Sequence, residues 1–526
     1  MTPSDISRRL FMGLAGAGLA AATLPASMVR AQGRKLLVTV INNDPAAFNP
    51  AVSTNIEGII ASTPVYSWLI KQDIDGTNAA DLATDWSMSE DGKTFTFTLR
   101  DDVTWHDGTP FTAEDVKFTI EEMLSVHNSI AKNAYATLSS VEAPDTKTII
   151  LTFSAPNVVF LAQPFALGPI LPKHLWEGTD FNTNPVGKSP VGTGPFKFVA
   201  HEIGNKIEYT RNEAYFGEAP GMDGLLLRIM PDPVSRSAAF ENKEIDAINV
   251  LSIPFTDITR FREMPGVTMK SFPAPGGAYL AVINMRNKPL DDVRVRRALA
   301  HAIDRSFIRE NILPEISHAM NGPIWPASPL YNTELEDYSL DTAKAEALLD
   351  EAGVTKDANG KRFTLRVMWQ NVFSQIGSIA DVMAENLRPL GIEVDRTPLE
   401  TSAVIQKGYI EGDFDIIINS YVLGPDPSFG VERLYNSNNI LPKPFTNNSG
   451  YVNKEVDALF DKQRLAGSPE ERKAIYDEIQ SKIWDDLPVL PICSYDAVGF
   501  SHDEFVTDVY THWNVIMEDF ATAKPA

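Results

Sequence analysis

In LATDWSMSEDGKTFTFTLRDDVTWHDGTPFTAEDV, residues 82–116, a turn, a strand, a second turn and a helix start follow one another directly. Glu90-Asp91-Gly92-Lys93 is the first turn, because glycine and short polar side chains tolerate the backbone angles of a tight reversal. It feeds residues 94–100, where Phe95, Phe97 and Leu99 alternate with threonines. A period of two predicts a strand with one buried and one wet face. After the Trp105-His106-Asp107-Gly108 turn, Thr112-Ala113-Glu114-Asp115 is a helix cap, with carboxylates at the positive end of the helix dipole. Val116, Ile120, Met123, Leu124 and His127 then recur at helical spacing as one buried stripe.

Outward from this segment the chain alternates. A strand over residues 35–41 precedes the turn cluster Asn42-Asn43-Asp44-Pro45. The proline- and glycine-punctuated segment 185–196 has no helix after it, so it reads as a crossing between domains and not as a phosphate loop. Helices are expected over 293–312, 341–352 and 374–388, and strands over 196–200, 363–368, 392–397 and 414–418. This alternation predicts α/β architecture. A chain of 526 residues exceeds one ordinary core, so two or three domains are expected.

The N-terminus reads as an export signal. Arg8-Arg9 precedes a weakly apolar run, and Val29-Arg30-Ala31 is a small-residue cleavage site, with cleavage expected after Ala31. Ser7 to Met12 resembles a twin-arginine signal, which implies passage across the membrane in the folded state. Gly16-Ala17-Gly18-Leu19-Ala20-Ala21 matches a dinucleotide-binding pattern but lacks the strand before it and the acidic residue after it. No cysteine lies near the cleavage point to take a lipid, so a soluble periplasmic protein is expected. The net charge of -23 makes nucleic acid an unsuitable partner. The lone Cys493, in an apolar run, is expected in the core.

No catalytic chemistry stands out. The eight histidines contain no pair three or four residues apart, so no helical metal pair is present. There is no Gly-x-Ser-x-Gly elbow. We therefore expect no enzyme, no cofactor, no metal and no catalytic residue.

The residues 82–116, together with GTGPF (192–196), EID (244–246), DVRVRRALAHAIDR (292–305), KAEALLDEAG (344–353), PDP (425–427) and DLP (486–488), resemble the dipeptide/oligopeptide-type periplasmic solute-binding proteins that serve ABC importers. The resemblance implies a type II periplasmic-binding-protein-like α/β fold, with two ligand-clasping lobes and an inserted domain. It divides the mature chain into a discontinuous domain I (32–70, 189–275 and 485–526), an inserted domain II (71–188) and a domain III (276–484). His106, Asp107 and Asp115 then become fold-determining residues.

It further implies a monomer that closes by hinge motion on a small molecule or peptide and delivers it to an inner-membrane ABC permease. Asn55, Glu57, Trp369, Gln370, Tyr421, Leu423, Gly424 and Asp426 are the expected ligand-binding residues. In peptide binders of the family a carboxylate three residues before the Asp-Pro dipeptide grips the peptide ammonium; here that position is Leu423. Asp426 is expected to be a cap, and Glu57 is the alternative carboxylate. Opine or oligosaccharide-type ligands therefore stand beside peptides, and a periplasmic hydrolase is the reading from another class. The Arg294, Arg296 and Arg297 group reads as a solvated helix face, with contact to the permease as the alternative.

Overall fold

The computed structural model describes residues 35–506 and 519–526, apart from residues 54, 74–76, 129–130, 250–251, 273–275, 372 and 425. The expected signal residues Arg8, Arg9 and Ala31 lie outside the described residues.

The hydrophobic pattern folds as read around the opening stretch except at His127, expected in the buried stripe but exposed, because the helical turns end at Leu124. Ala83–Met88 and Thr94–Leu99 pair antiparallel and continue through Thr148–Phe153 to Leu138–Glu142. Phe95, Phe97 and Leu99 face the core. The helix Ala113–Phe118 is capped by Asp115, whose carboxylate accepts the Thr112 N–H at 2.9 Å and that of Lys173 at 2.9 Å. The helix then widens to a π-turn over Thr119–Leu124, which keeps Ile120, Met123 and Leu124 buried.

A second four-stranded sheet, in the order Leu36–Ile41, Gly224–Ile229, Lys206–Arg211, Phe196–Glu202, shares one continuous core with the first. The segment before Phe196 crosses between them at very close quarters. A Cβ on Gly192 would lie 1.9 Å from the Val65 carbonyl oxygen. His106 fixes this crossing: its Nδ1 accepts the Gly192 N–H at 3.3 Å, and its Nε2 lies 3.0 Å from the Gly194 carbonyl. Burial pushes the imidazole down to about 4, so it is neutral at physiological pH and serves as a strut. Gly192→Ala is expected to destabilise the protein by about 1–3 kcal/mol through overpacking. Gly187→Ala, whose Cβ would meet only Trp176 at 3.5 Å, should be tolerated. Paired thermal melts check this.

The other half is a mixed six-stranded sheet in the order Ser317–His318, Val489–Tyr495, Gly277–Ile283, Ile416–Val422, Phe363–Gln370, Ile392–Leu399. Its core runs on into a three-stranded sheet of Ala247–Asn249, Ala497–His502 and Val267–Phe272. The chain passes between these two sheets at Asp496, and again between Phe272 and Gly277. Val489–Tyr495 falls within the segment 485–526 expected for domain I, yet it pairs with Gly277–Ile283 in the six-stranded sheet. Cys493 sits in that strand, fully buried, and burial pushes its thiol up to about 12.

The expected single helix over 293–312 is broken. Val293–Ala302 ends where Ile303 turns extended, and Asp304 caps a new start by accepting the Phe307 N–H at 2.8 Å. The break turns Arg305 inward, where it donates to the Met320 and Tyr338 carbonyls. Arg296 and Arg297 are likewise committed, donating to the Asp486 and Asp485 carbonyls at the C-terminal end of the helix Pro469–Asp486. They cancel the negative pole of that helix. Arg294 pairs with Asp292 at 2.6 Å, so all three arginines have structural partners, while the side chains of Arg294 and Arg297 stay partly exposed at the surface.

Candidate functional site

The strand Ile416–Val422 ends where the halves meet: Tyr421 is buried in the second half, while Val422 packs on the core of the first. The next residue turns back into its own half. Leu423 donates its N–H to the Gly276 carbonyl at 2.8 Å and is fully buried in the core cluster that also holds Ala278, Val431 and Leu434. Two glycines make room for it. A Cβ at Gly430 would lie 2.4 Å from the Leu423 Cα, and one at Gly276 would lie 2.3 Å from the Gly424 nitrogen. Gly424 is buried as well.

Asp426 caps the short helix Pro427–Gly430 by accepting the Ser428 N–H at 2.9 Å. Both its oxygens also take the Arg472 guanidinium, each at 2.7 Å. Burial pushes this carboxyl up, but Arg472 and Ser428 outweigh it and hold the group below its ordinary value. Asp426 is thus a charged structural link to the helix Pro469–Asp486.

Asn55 caps the helix Ile56–Ser62 of the first half by accepting the Gly58 N–H at 2.9 Å. Its amide also donates to Glu57 at 3.1 Å, and the Asn43 amide reaches the other Glu57 oxygen at 3.1 Å. Two side-chain amides therefore orient a partly exposed carboxylate at a helix N-terminus. Trp369 is almost fully buried in the core, next to Gly377. Gln370, at the end of the same strand, accepts from the Thr401 hydroxyl at 3.2 Å. Tyr421, Leu423, Gly424 and Asp426 share one chain turn at the junction of the halves. Asn55 with Glu57, and Trp369 with Gln370, belong to separate elements.

Three groups absent from the sequence expectations surround Tyr421. Phe445 stands edge-on to it, with ring centroids 5.5 Å apart and planes at 85°. Tyr409 lies 6.2 Å from the Phe445 ring. The Arg433 guanidinium is 5.8 Å from the same ring and donates to the Val422 carbonyl at 3.0 Å. The apolar, proline-bracketed run Ile440-Leu441-Pro442-Lys443-Pro444-Phe445 was the available signal for this loop. A cavity of about 40 Å³, bordered by Tyr66, Ser67, Trp68, Lys71 and Tyr215, lies in the first half and not beside Tyr421. Among the described residues no group of three or more His, Cys, Asp or Glu side chains forms a metal cluster.

Residues 79–441 match the family described as Bacterial extracellular solute-binding proteins, family 5 Middle. The chain belongs to that family. This solute-binding protein is 27 % identical to the dipeptide-binding protein of Escherichia coli, over 91 % of this chain and 92 % of that one. It is also 27 % identical to the nickel-binding periplasmic protein of Escherichia coli, over 85 % and 86 % of the two chains. Its fold is that of the ABC transporter substrate-binding protein CtaP of Listeria monocytogenes, with a TM-score of 0.82, 26 % identity and coverage of 93 % and 99 %. The expected α/β fold of family 5 binding proteins is therefore the observed one. No helix among the described residues is long and apolar enough to cross a membrane.

Proposed function

We propose that this solute-binding protein is the exported, periplasmic receptor of an ABC importer, and that it captures its ligand where the end of the strand Ile416–Val422 meets the first half. The single observation that carries this reading is the packing of Val422 on the core of the opposite half, directly between Tyr421 and Leu423. A ligand touching both halves there shifts the population toward the closed form by its differential affinity. The closed form then docks on an inner-membrane permease, and no chemical step occurs on the protein.

The ligand carries no free α-ammonium that needs a carboxylate at the strand end. Leu423 is apolar and enclosed, and Asp426 is bound to Arg472. Opine-like, glycosidic or amino-blocked peptide ligands fit that surface better than free dipeptides. Glu57, oriented by Asn43 and Asn55, supplies a hydrogen-bond acceptor from the first half.

Thermal melts of the purified protein with Leu-Leu, N-acetyl-Leu-Leu, an opine and an oligosaccharide test this. At a concentration one hundred times its Kd, a ligand adds about 2.7 kcal/mol of stability. A blocked or opine-type compound should raise the melting temperature and be recovered intact by mass spectrometry. Recovery of cleaved product would reject a receptor role. A shift with Leu-Leu alone would reject the ligand class.

A further inference from the structure

The loop Asn439–Asn447 is a closed, rigid unit. The Asn447 N–H donates to the Asn439 carbonyl at 3.0 Å, and the Thr446 hydroxyl reaches the Leu441 and Lys443 carbonyls at 3.0 and 2.9 Å. The Asn448 amide donates to the Lys443 carbonyl at 3.0 Å. Pro442 and Pro444 fix two more backbone angles. Such a loop should bury its apolar side chains, yet Ile440, Leu441 and Phe445 are 37 %, 42 % and 37 % exposed.

Phe445 is also held with φ at +59°, a left-handed conformation that a bulky residue adopts only when its surroundings impose it. Strain of this kind gathers at binding and switch positions. The ring is wedged between Tyr421, Tyr409 and the Arg433 guanidinium, at the end of the strand whose Val422 touches the opposite half. A cationic side chain, Arg433, stands beside the ring. Burial pushes Arg433 down to about 10, which leaves it cationic at neutral pH. The adjacent carboxylates Asp426 and Glu432 are bound by Arg472 and Arg464, and Lys443 lies on the loop itself.

We infer that Phe445, with Leu441 and Ile440, is a specificity-determining wall that receives a flat or branched apolar group carrying a neutral or anionic substituent, never an ammonium. The inference rests on the ligand site proposed above and names the chemistry of its second-half end. An aromatic face binds a planar group by offset or edge contact. A neighbouring guanidinium adds attraction for an anion and repels a cation.

The probes are 1-anilinonaphthalene-8-sulfonate, an aromatic anion, and dansylcadaverine, an aromatic amine, titrated by fluorescence against the folded mature protein. The anion should bind the wild type about tenfold more tightly than the amine. Phe445→Ala should weaken the anion about tenfold, the scale on which losing an aromatic contact acts. Leu441→Ser, at a more exposed position, should also weaken it and covers the case that the first variant does not fold. Ile203→Ser alters an 83 % exposed side chain on a hairpin of the first half and should change nothing.

Equal loss in Ile203→Ser would show the dye on any exposed apolar surface and overturn the wall. So would tight binding of the amine, or anion binding unaffected by both loop variants, which is the outcome expected if the loop is instead a permease contact. If the anion depends on Phe445 while no compound in the thermal panel shifts the protein, the wall stands and the ligand class proposed above fails.

Discussion

Leu423→Asp is expected to lower the stability of the second half by about 5 kcal/mol, without creating a dipeptide site. Two costs combine. Removing a fully buried leucine side chain costs about 2–5 kcal/mol, and Leu423 is fully buried in the core cluster that also holds Ala278, Val431 and Leu434. The new carboxylate would be enclosed with no partner placed for it, which costs several kcal/mol more or protonates the group. The backbone cannot swing the side chain outward, because Leu423 is gripped by the Gly276 carbonyl and pressed against Gly430. Thermal melts and calorimetric titration with Leu-Leu check this. A stable Leu423→Asp protein that gains dipeptide affinity would show that the side chain faces the ligand, and that ammonium selection alone separates this protein from peptide binders.

That case shows where sequence stops informing. The Asp-Pro spacing singles out position 423, and the strand expected over 414–418 runs over Ile416–Val422 and ends directly before it, but whether the 423 side chain meets ligand or core depends on two distant glycines, Gly276 and Gly430, and on how closely they let the backbone approach. Local patterns were legible wherever their cause was local. The alternation of Phe95, Phe97 and Leu99 gives a strand with those residues inward, and the Asp115 cap is set by neighbours within a turn. The helix expected over 293–312 failed because a local cap and distant partners act together. An apolar stripe continues through Ile303 and Ile308, but Asp304 offers the backbone a cap, and the buried carbonyl partners of Arg305 reward the break. Those partners, Met320 and Tyr338, are invisible to periodicity. Phe445 was missed likewise, since Tyr421, Tyr409 and Arg433 reach it from three separate segments.

Arg472→Ala should cost about 3–5 kcal/mol at neutral pH, because it strands a buried carboxylate. The Asp426 and Arg472 side chains are only 12 % and 17 % exposed, so solvent screens the pair weakly. Arg472 also donates to Gln463 at 3.0 Å and stacks 5.2 Å from the Tyr476 ring, so the link ties the turn after Leu423 to two helices. Arg472→Lys keeps a charge but loses the forked geometry and should recover only part of the loss. The pH dependence has a definite sign. Asp426 has its folded pKa held below the ordinary value, so the stability it contributes is complete above about pH 4, the unfolded carboxyl range, and is lost as pH falls through the lower folded value. Without Arg472, burial alone remains and pushes the carboxyl up, so the variant carries its penalty at neutral pH and sheds it on protonation. The melting-temperature gap between wild type and Arg472→Ala should therefore be widest near pH 7 and narrow below about pH 4. A gap that stays constant from neutral to acid pH would mean that Arg472 acts through its packing on Tyr476 and not through Asp426.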